Sequence, residues 1–132
     1  MAIDYGGKRI GIAVSESGLL ATPHSVLPNE GDIVSRLASL ADQLGAETVI
    51  VGLPRRARTT AGEHKYRDLA ERLRQQTCKP VVLWDETLST VEAAERLREG
   101  RRRRSKGMDD IDMYAAAVIL QSYLDANQGR QP

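Results

Sequence analysis

The chain has 132 residues, 41% hydrophobic and 28% charged, with a net charge of +1. That is the make-up of one globular domain able to bury its own core, and it excludes disordered and fibrous classes. The lone Cys78 excludes an internal disulfide and a multi-cysteine zinc site. No apolar run approaches the roughly 20 residues that span a bilayer, and no signal-peptide pattern is present, so a soluble cytoplasmic protein with no membrane partner is expected.

Ala2–Tyr5 reads as a first strand. Gly6-Gly7 reads as a turn in which glycine supplies a positive φ. Ile10–Ser15 returns with Ile10, Ile12 and Val14 alternating on one face. Leu19–Val26 reads as a third, irregular strand, and Pro23 marks it as an edge or a bulge. Asp32–Leu44 is a helix, with Ile33, Leu37, Leu40 and Leu44 in one stripe and Gly45 after its end. Thr48–Gly52 is a β-branched run typical of a buried central strand. Glu63–Gln76 is a second helix, with Tyr66, Leu69, Ala70 and Leu73 on its apolar face. Pro80–Asp85 is a fifth strand. Ser89 and Glu92 form a capping-box pair that opens a helix to about Glu99. A basic connection spans 100–107. A last helix runs from about Asp110 to Ala126, with Asp109 placed to cap it and Ile111, Ala115, Val118, Ile119 and Tyr123 or Leu124 facing the core. Three strands in a meander, then strands alternating with helices, predict an α/β fold with a mixed five-stranded sheet and helices on both faces.

Charge is unevenly placed. Residues 96–106 hold Arg96, Arg98, Arg101, Arg102, Arg103, Arg104 and Lys106 against Glu99 alone, a local +6 that leaves −5 for the rest. Arg55, Arg56 and Arg58 form a smaller cluster. Such clusters attract phosphate backbones, whereas a solvated basic loop would serve solubility alone.

Three acidic positions stand at element ends. Asp4 lies in the first strand, Asp85-Glu86 closes the run VVLW, and Asp112 opens the last helix. Strand ends beside a sheet crevice are where α/β proteins place ligands. Singly, each acid has a plainer role, as a turn cap or a helix-dipole partner. Gathered together, three carboxylates repel one another and are costly to desolvate unless a divalent cation joins them. Oxygen donors favour Mg²⁺ or Mn²⁺, and a two-ion site can hold the attacking water and the leaving oxygen of a phosphodiester.

Four segments in order, AIDYGGKRIGIAVS (2–15), VIVGLP (49–54), DETLST (85–90) and DMYAAAVILQSYLD (112–125), resemble the YqgF family over nearly the whole chain. Its members are called Holliday junction resolvases or pre-ribosomal RNA nucleases and share the ribonuclease H-like fold. The resemblance implies a bacterial metal-dependent endonuclease that trims the 5′ end of the small-subunit rRNA precursor. The older assignment is cleavage of branched DNA. By the same resemblance Asp4, Glu86 and Asp112 are the catalytic, metal-holding acids. Precursor RNA, ribosomal precursor particles or a DNA junction would be the partners.

The chain departs from the family pattern in places. The arginine of D-E-R is Thr87, the usual L-N-M-D-G after Gly-Leu-Pro is Arg55-Arg56-Ala57-Arg58-Thr59, and Gly7 stands where threonine is frequent. The expected mechanism is metal-assisted hydrolysis with Asp4 bridging the ions. Lys8 and Arg9 would contact the neighbouring phosphate, while Arg55, Arg56, Arg58, Arg101–Arg104 and Lys106 would grip flanking nucleic acid. Two rivals remain at the level of sequence. An RNA-binding module could keep the fold without cutting. Asp-x-Gly before a returning strand also opens the phosphate loop of sugar kinases and actin-like ATPases, which need two such domains. A trimming nuclease could act as a monomer or a weak homodimer, and no apolar stripe stands out as a dimer face.

His24 and His64 lack metal-ligand spacing and read as surface or cap residues. Cys78 reads as an incidental thiol, Trp84 as core, and Tyr5 as strand packing.

Overall fold

The computed structural model describes residues 1–54, 60–85 and 108–128, of which 60, 61, 108–112 and 128 are described in backbone alone. In chain order the elements are β1 (Ala2–Tyr5), β2 (Arg9–Val14), β3 (Thr22–Pro28), α1 (Ile33–Gln43), β4 (Val49–Leu53), α2 (Thr60–Gln76), β5 (Val81–Asp85) and α3 (Met108–Gln128). The sheet order is β3-β2-β1-β4-β5. β1–β2 and β2–β3 pair antiparallel, while β1–β4 and β4–β5 pair parallel. The mixed five-stranded α/β sheet expected from the sequence is present. The Ser89 helix and the basic connection lie outside the described residues.

Alternation along the strands sorts the core into two layers. Ile3, Ile12, Val49, Val51 and Val81 pack against Ile33, Val34 and Leu37 of α1 and Leu69, Ala70 and Leu73 of α2. Ala2, Ala13 and Ile50 pack on the other side against Ala116, Ala117, Ile119 and Leu120 of α3. Each fully buried aliphatic side chain contributes about 1.5–3 kcal/mol from burial. The end of α1 at Gly45 is as its sequence suggests, while its start falls at Ile33, one residue after the expected Asp32. Asp32 is the N-cap and accepts from the Ser35 N–H, and Gly45 follows the helix with φ 66°. At the start of the chain the Met1 amino group donates to the Thr48 carbonyl at 2.9 Å. Burial, aided by the charge of Lys79, lowers its pKa to about 6.

Four local expectations change. Neither Gly6 nor Gly7 has a positive φ. Gly6 is needed for space instead, since a Cβ there would lie 2.5 Å from the Arg9 carbonyl oxygen. β3 begins at Thr22, not Leu19. The preceding loop closes on its own serines: Ser15 accepts from the Gly18 N–H, and Ser17 from those of Leu19 and Leu20. This leaves Leu19 and Leu20 60% and 53% exposed. Pro23 does sit on an edge strand, opposite Ala13 where the register shifts. α2 begins at Thr60, three residues before the expected start. Its apolar stripe begins only at Tyr66, so periodicity could not mark the first turns.

α3 differs most. It starts at Met108, so Asp109 lies in its first turn and is not an N-cap, and Asp112 is its fifth residue. Its buried face is Ala116, Ala117, Ile119, Leu120, Gln121 and Ser122, with Ala115 and Val118 only partly covered. The run AAAVIL is apolar around the whole helix, so its spacing does not single out a stripe. Gln121 is fully buried. Its Oε1 accepts from the Ala21 N–H at 2.8 Å, and its Nε2 donates to the Leu19 carbonyl and to Asp125 Oδ1, both at 3.0 Å. Gln121→Leu would strand the Ala21 N–H. We expect it to lower stability by about 2 kcal/mol, read as a lower urea midpoint. An unchanged midpoint would show that this junction contributes nothing.

Candidate active site

Strand order reverses at one place in the sheet. From β1 the chain goes outward through β2 and β3, then returns to the other side of β1 with β4 and β5. The crevice between the carboxyl ends of β1 and β4 is therefore the switch point at which open α/β sheets bind ligands. Asp4 lies at this end of β1. Ile3 pairs with Val51, so Asp4 comes level with Gly52, the next residue of β4. Alternation places Asp4 with Ala2 on the α3 face of the sheet.

β5 ends at the same edge. Gly52 pairs with Trp84 and Leu53 with Asp85, so Asp85 lies two strands across from Asp4, roughly 10 Å between backbones at a strand spacing of about 4.8 Å. The parity of β5 puts Val82 and Trp84 on the α3 face and Leu83 on the α2 face. Asp85 therefore belongs to the α2 face, opposite Asp4. Glu86 and Thr87 lie outside the described residues. Asp112 is present in the backbone of α3, two turns before Ile119, and its side chain is outside the description. Gln121 ties the C-terminal half of α3 to Leu19 and Ala21, beyond the end of β2 farthest from Asp4. The helix thus runs back from its first turns, which lie toward the Asp4 edge. Among the described residues no group of three His, Cys, Asp or Glu side chains stands together as a metal centre.

The turn between β1 and β2 borders the same edge. The Gly6 N–H donates to the Arg9 carbonyl at 3.1 Å. Asn29, just past β3, clasps the turn: its N–H donates to the Lys8 carbonyl at 2.9 Å and its Nδ2 to the Gly6 carbonyl at 2.8 Å. Lys8 is exposed and Arg9 half-buried beside Asp4. Sequence reasoning missed Asn29, whose clasp is visible only once β3 is docked. Arg55, Arg56, Arg58, Arg101, Arg102, Arg103, Arg104 and Lys106 lie outside the described residues.

On the α2 face of the edge, Tyr5 packs edge-on to Tyr66 at 6.2 Å between ring centroids. Tyr5 is thus a packing residue, as expected. Trp84 packs edge-on to Tyr123 at 5.3 Å, and its Nε1 donates to Ser122 Oγ at 3.2 Å. Cys78 is exposed, as are His24 and His64, and among the described residues His24 bonds only its neighbour Ser25. Gly52 was not anticipated as a site element. A Cβ on it would meet Ile119 Cδ1 at 2.5 Å, so its bareness lets α3 approach the sheet beside Asp4. An isolated glycine in an apolar strand was the available signal.

Residues 1–126 match the family model described as RuvX, Holliday junction resolvase. The chain is 39% identical to a Geobacillus kaustophilus protein named "Putative pre-16S rRNA nuclease", covering 97% of this chain and 98% of that one. A Mycobacterium tuberculosis protein of the same name is 43% identical, over 95% of this chain and 77% of that one. Among solved structures, Thermus thermophilus RuvC in complex with a Holliday junction substrate superposes with a TM-score of 0.64 at 15% identity, covering 96% of this chain and 93% of that one. That likeness shows the fold, which is ribonuclease H-like. No helix among the described residues is long and apolar enough to cross a membrane.

Proposed function

This chain belongs to the RuvX family, the one its four motifs resemble, and from that premise we propose that it is a divalent-metal-dependent endonuclease that matures the 5′ end of pre-16S rRNA, with residues 1–132 acting as one nuclease domain. The observation that carries the proposal is the position of Asp4: a carboxylate at the switch point of a mixed sheet, on the face covered by α3. Its flanking turn presents Lys8 and Arg9.

The donor chemistry fits a hard cation, because Asp4 offers oxygen at this edge and its predicted partners Glu86 and Asp112 are carboxylates as well. Asp4, Glu86 and Asp112 would hold Mg²⁺ or Mn²⁺. Asp85 is set aside because its parity turns it to the α2 face. When bound, the cation supplies Lewis-acid activation of water and neutralises charge developing on the phosphodiester. The chain's own residues do the rest. Lys8 and Arg9 hold the phosphate beside the scissile one, and Asn29 keeps their turn at the edge. Arg55, Arg56, Arg58, Arg101–Arg104 and Lys106 grip the flanking nucleic acid by charge.

A second reading has specific support. The family model is described by Holliday junction cleavage, so branched DNA is the alternative substrate. A resolvase cuts two strands by symmetry and needs a dimer, whereas an RNA trimmer can act as a monomer. The deciding experiment offers purified protein a labelled pre-16S 5′ fragment and a four-way DNA junction, with Mn²⁺ or with chelator. Metal-dependent cleavage with preference for the RNA is expected. Preference for the junction would reassign the substrate. Salt-sensitive binding with both substrates left intact would favour a binding module and direct attention to Thr87 and residues 55–59.

The basic segment has its own test. Changing Arg101–Arg104 to glutamine is expected to reduce the salt slope of RNA binding by about 3, or about 0.7 per lost contact on a single strand. An unchanged slope would mark the segment as a solvated loop.

A further inference from the structure

α2 carries its positive charges in two states. Arg67, Arg72 and Arg74 each pair with a carboxylate on the same helix: Glu63 at 3.1 Å, Asp68 at 3.0 Å and Glu71 at 3.3 Å. Their fields are largely cancelled locally. Lys65 is in none of the ion pairs among the described residues. Its Nζ lies instead over two aromatic rings, 5.2 Å from the centre of Tyr66 and 6.0 Å from that of Tyr5.

The rings locate this charge. Tyr5 directly follows Asp4 at the carboxyl end of β1. Tyr66 is buried against Leu53, the last residue of β4. Lys65 therefore stands at the edge that holds the candidate active site, on the α2 side, while Asp4 faces α3. The rings offer electron-rich faces that hold an ammonium group without neutralising it. A cation restrained this way loses less side-chain freedom on meeting a ligand than a free surface lysine would. Its remaining donors are open to an anion.

We propose that Lys65, seated on Tyr5 and Tyr66, is a phosphate-binding position that grips the nucleic-acid backbone on the α2 side of the Asp4 crevice. The inference rests on the nuclease reading above. It adds a contact on the face opposite α3 and gives the strand a second hold, across the edge from Lys8. Lys65 is a binding residue in this account and does not touch the reacting atoms.

The test is anisotropy titration of a labelled pre-16S fragment in chelator, over salt from about 50 to 200 mM. Lys65→Gln is compared with Lys65→Arg and with Lys79→Gln. Lys79 is the control because it pairs with Asp42 at 3.8 Å, just before β5 and at the opposite end of the sheet. Lys65 is exposed and Lys79 half-buried, and circular dichroism verifies the folding of all three variants. Lys65→Gln is expected to weaken binding several-fold and to reduce the slope of log K against log salt by about 0.7, one phosphate contact on a single strand. Lys65→Arg should restore the slope, and Lys79→Gln should leave it unchanged. In metal-supported cleavage, Lys65→Gln should raise KM and spare kcat. Salt-sensitive binding by the wild type with no difference between Lys65→Gln and Lys79→Gln would overturn the Lys65 assignment and leave the nuclease reading standing. Absence of salt-sensitive binding by the wild type would overturn both.

Discussion

Replacing Asp4 by asparagine is expected to lower the cleavage rate at least about a thousandfold, or about 4 kcal/mol of transition-state stabilisation. The reason is chemical rather than steric. Asparagine keeps the shape of aspartate but lacks its charge, so it is a poor ligand for a hard divalent cation. The fold should hardly notice. Asp4 is half-buried at the rim of the sheet, while the core beneath it consists of Ala2, Ile3, Ile50 and Val51. A stability change within about 1 kcal/mol is expected, and removing one negative charge should leave nucleic-acid binding intact or slightly tighter. Single-turnover rates, a urea melt and a binding titration read these three quantities separately. A fall in all three would mean that Asp4 is structural.

Gly52→Val is expected to cost about 3 kcal/mol and to reduce activity beyond what unfolding explains. The clash is specific. A Cβ at position 52 would sit 2.5 Å from Ile119 Cδ1 and 3.2 Å from its Cγ1. Ile119 is 1% exposed, and a β-branched side chain in a helix has one strongly preferred χ1, so it has little room to turn away. The relief available is movement of α3 off the sheet, and α3 carries Asp112. The milder Gly52→Ala should cost about 1 kcal/mol, since rotation of Cδ1 alone can relieve part of the contact. Pairing it with Ile119→Val, which removes Cδ1, should recover about 1 kcal/mol of coupling in a double-mutant cycle. Strict additivity of the two changes would show that they do not meet.

The parts of this fold that were legible in the sequence are those whose signals are local. β1, the end of α1 at Gly45, and the buried run of β4 follow from alternation, capping chemistry and β-branched composition. The errors arose where a long-range contact decides. Gly6 looked like a residue chosen for its dihedral freedom, yet it is fixed by the approach of the Arg9 carbonyl. The face of α3 could not be read from a segment that is apolar on every side. Its register is set by Gln121 reaching Ala21, 100 residues earlier in the chain. Asn29 was invisible for the same reason.

The candidate site divides in the same way. Asp4 stood out in the sequence only as one of three acids at element ends, since a lone acid there has a plainer role as a turn cap; its place at the switch point emerges with the strand order. Glu86 and Asp112 were marked in the same way, as acids at element ends whose metal-holding role the motif resemblance implies, and the side chains of both lie outside the described residues. The parity of β5 adds a physical reason to separate Asp85 from Glu86 that the dipeptide alone could not provide. Lys65 carried no signal in the sequence, because nothing local distinguishes a lysine seated on aromatic rings from the paired arginines along the same helix.

The most direct measurement is single-turnover cleavage of the pre-16S fragment as Mn²⁺ is titrated, run in parallel on the wild type and Asp4→Asn. The account predicts that the wild-type rate rises with metal to a plateau, vanishes in chelator, and is absent from Asp4→Asn at every metal concentration. Equal cleavage by the two proteins, or wild-type cleavage that persists in chelator, would contradict it.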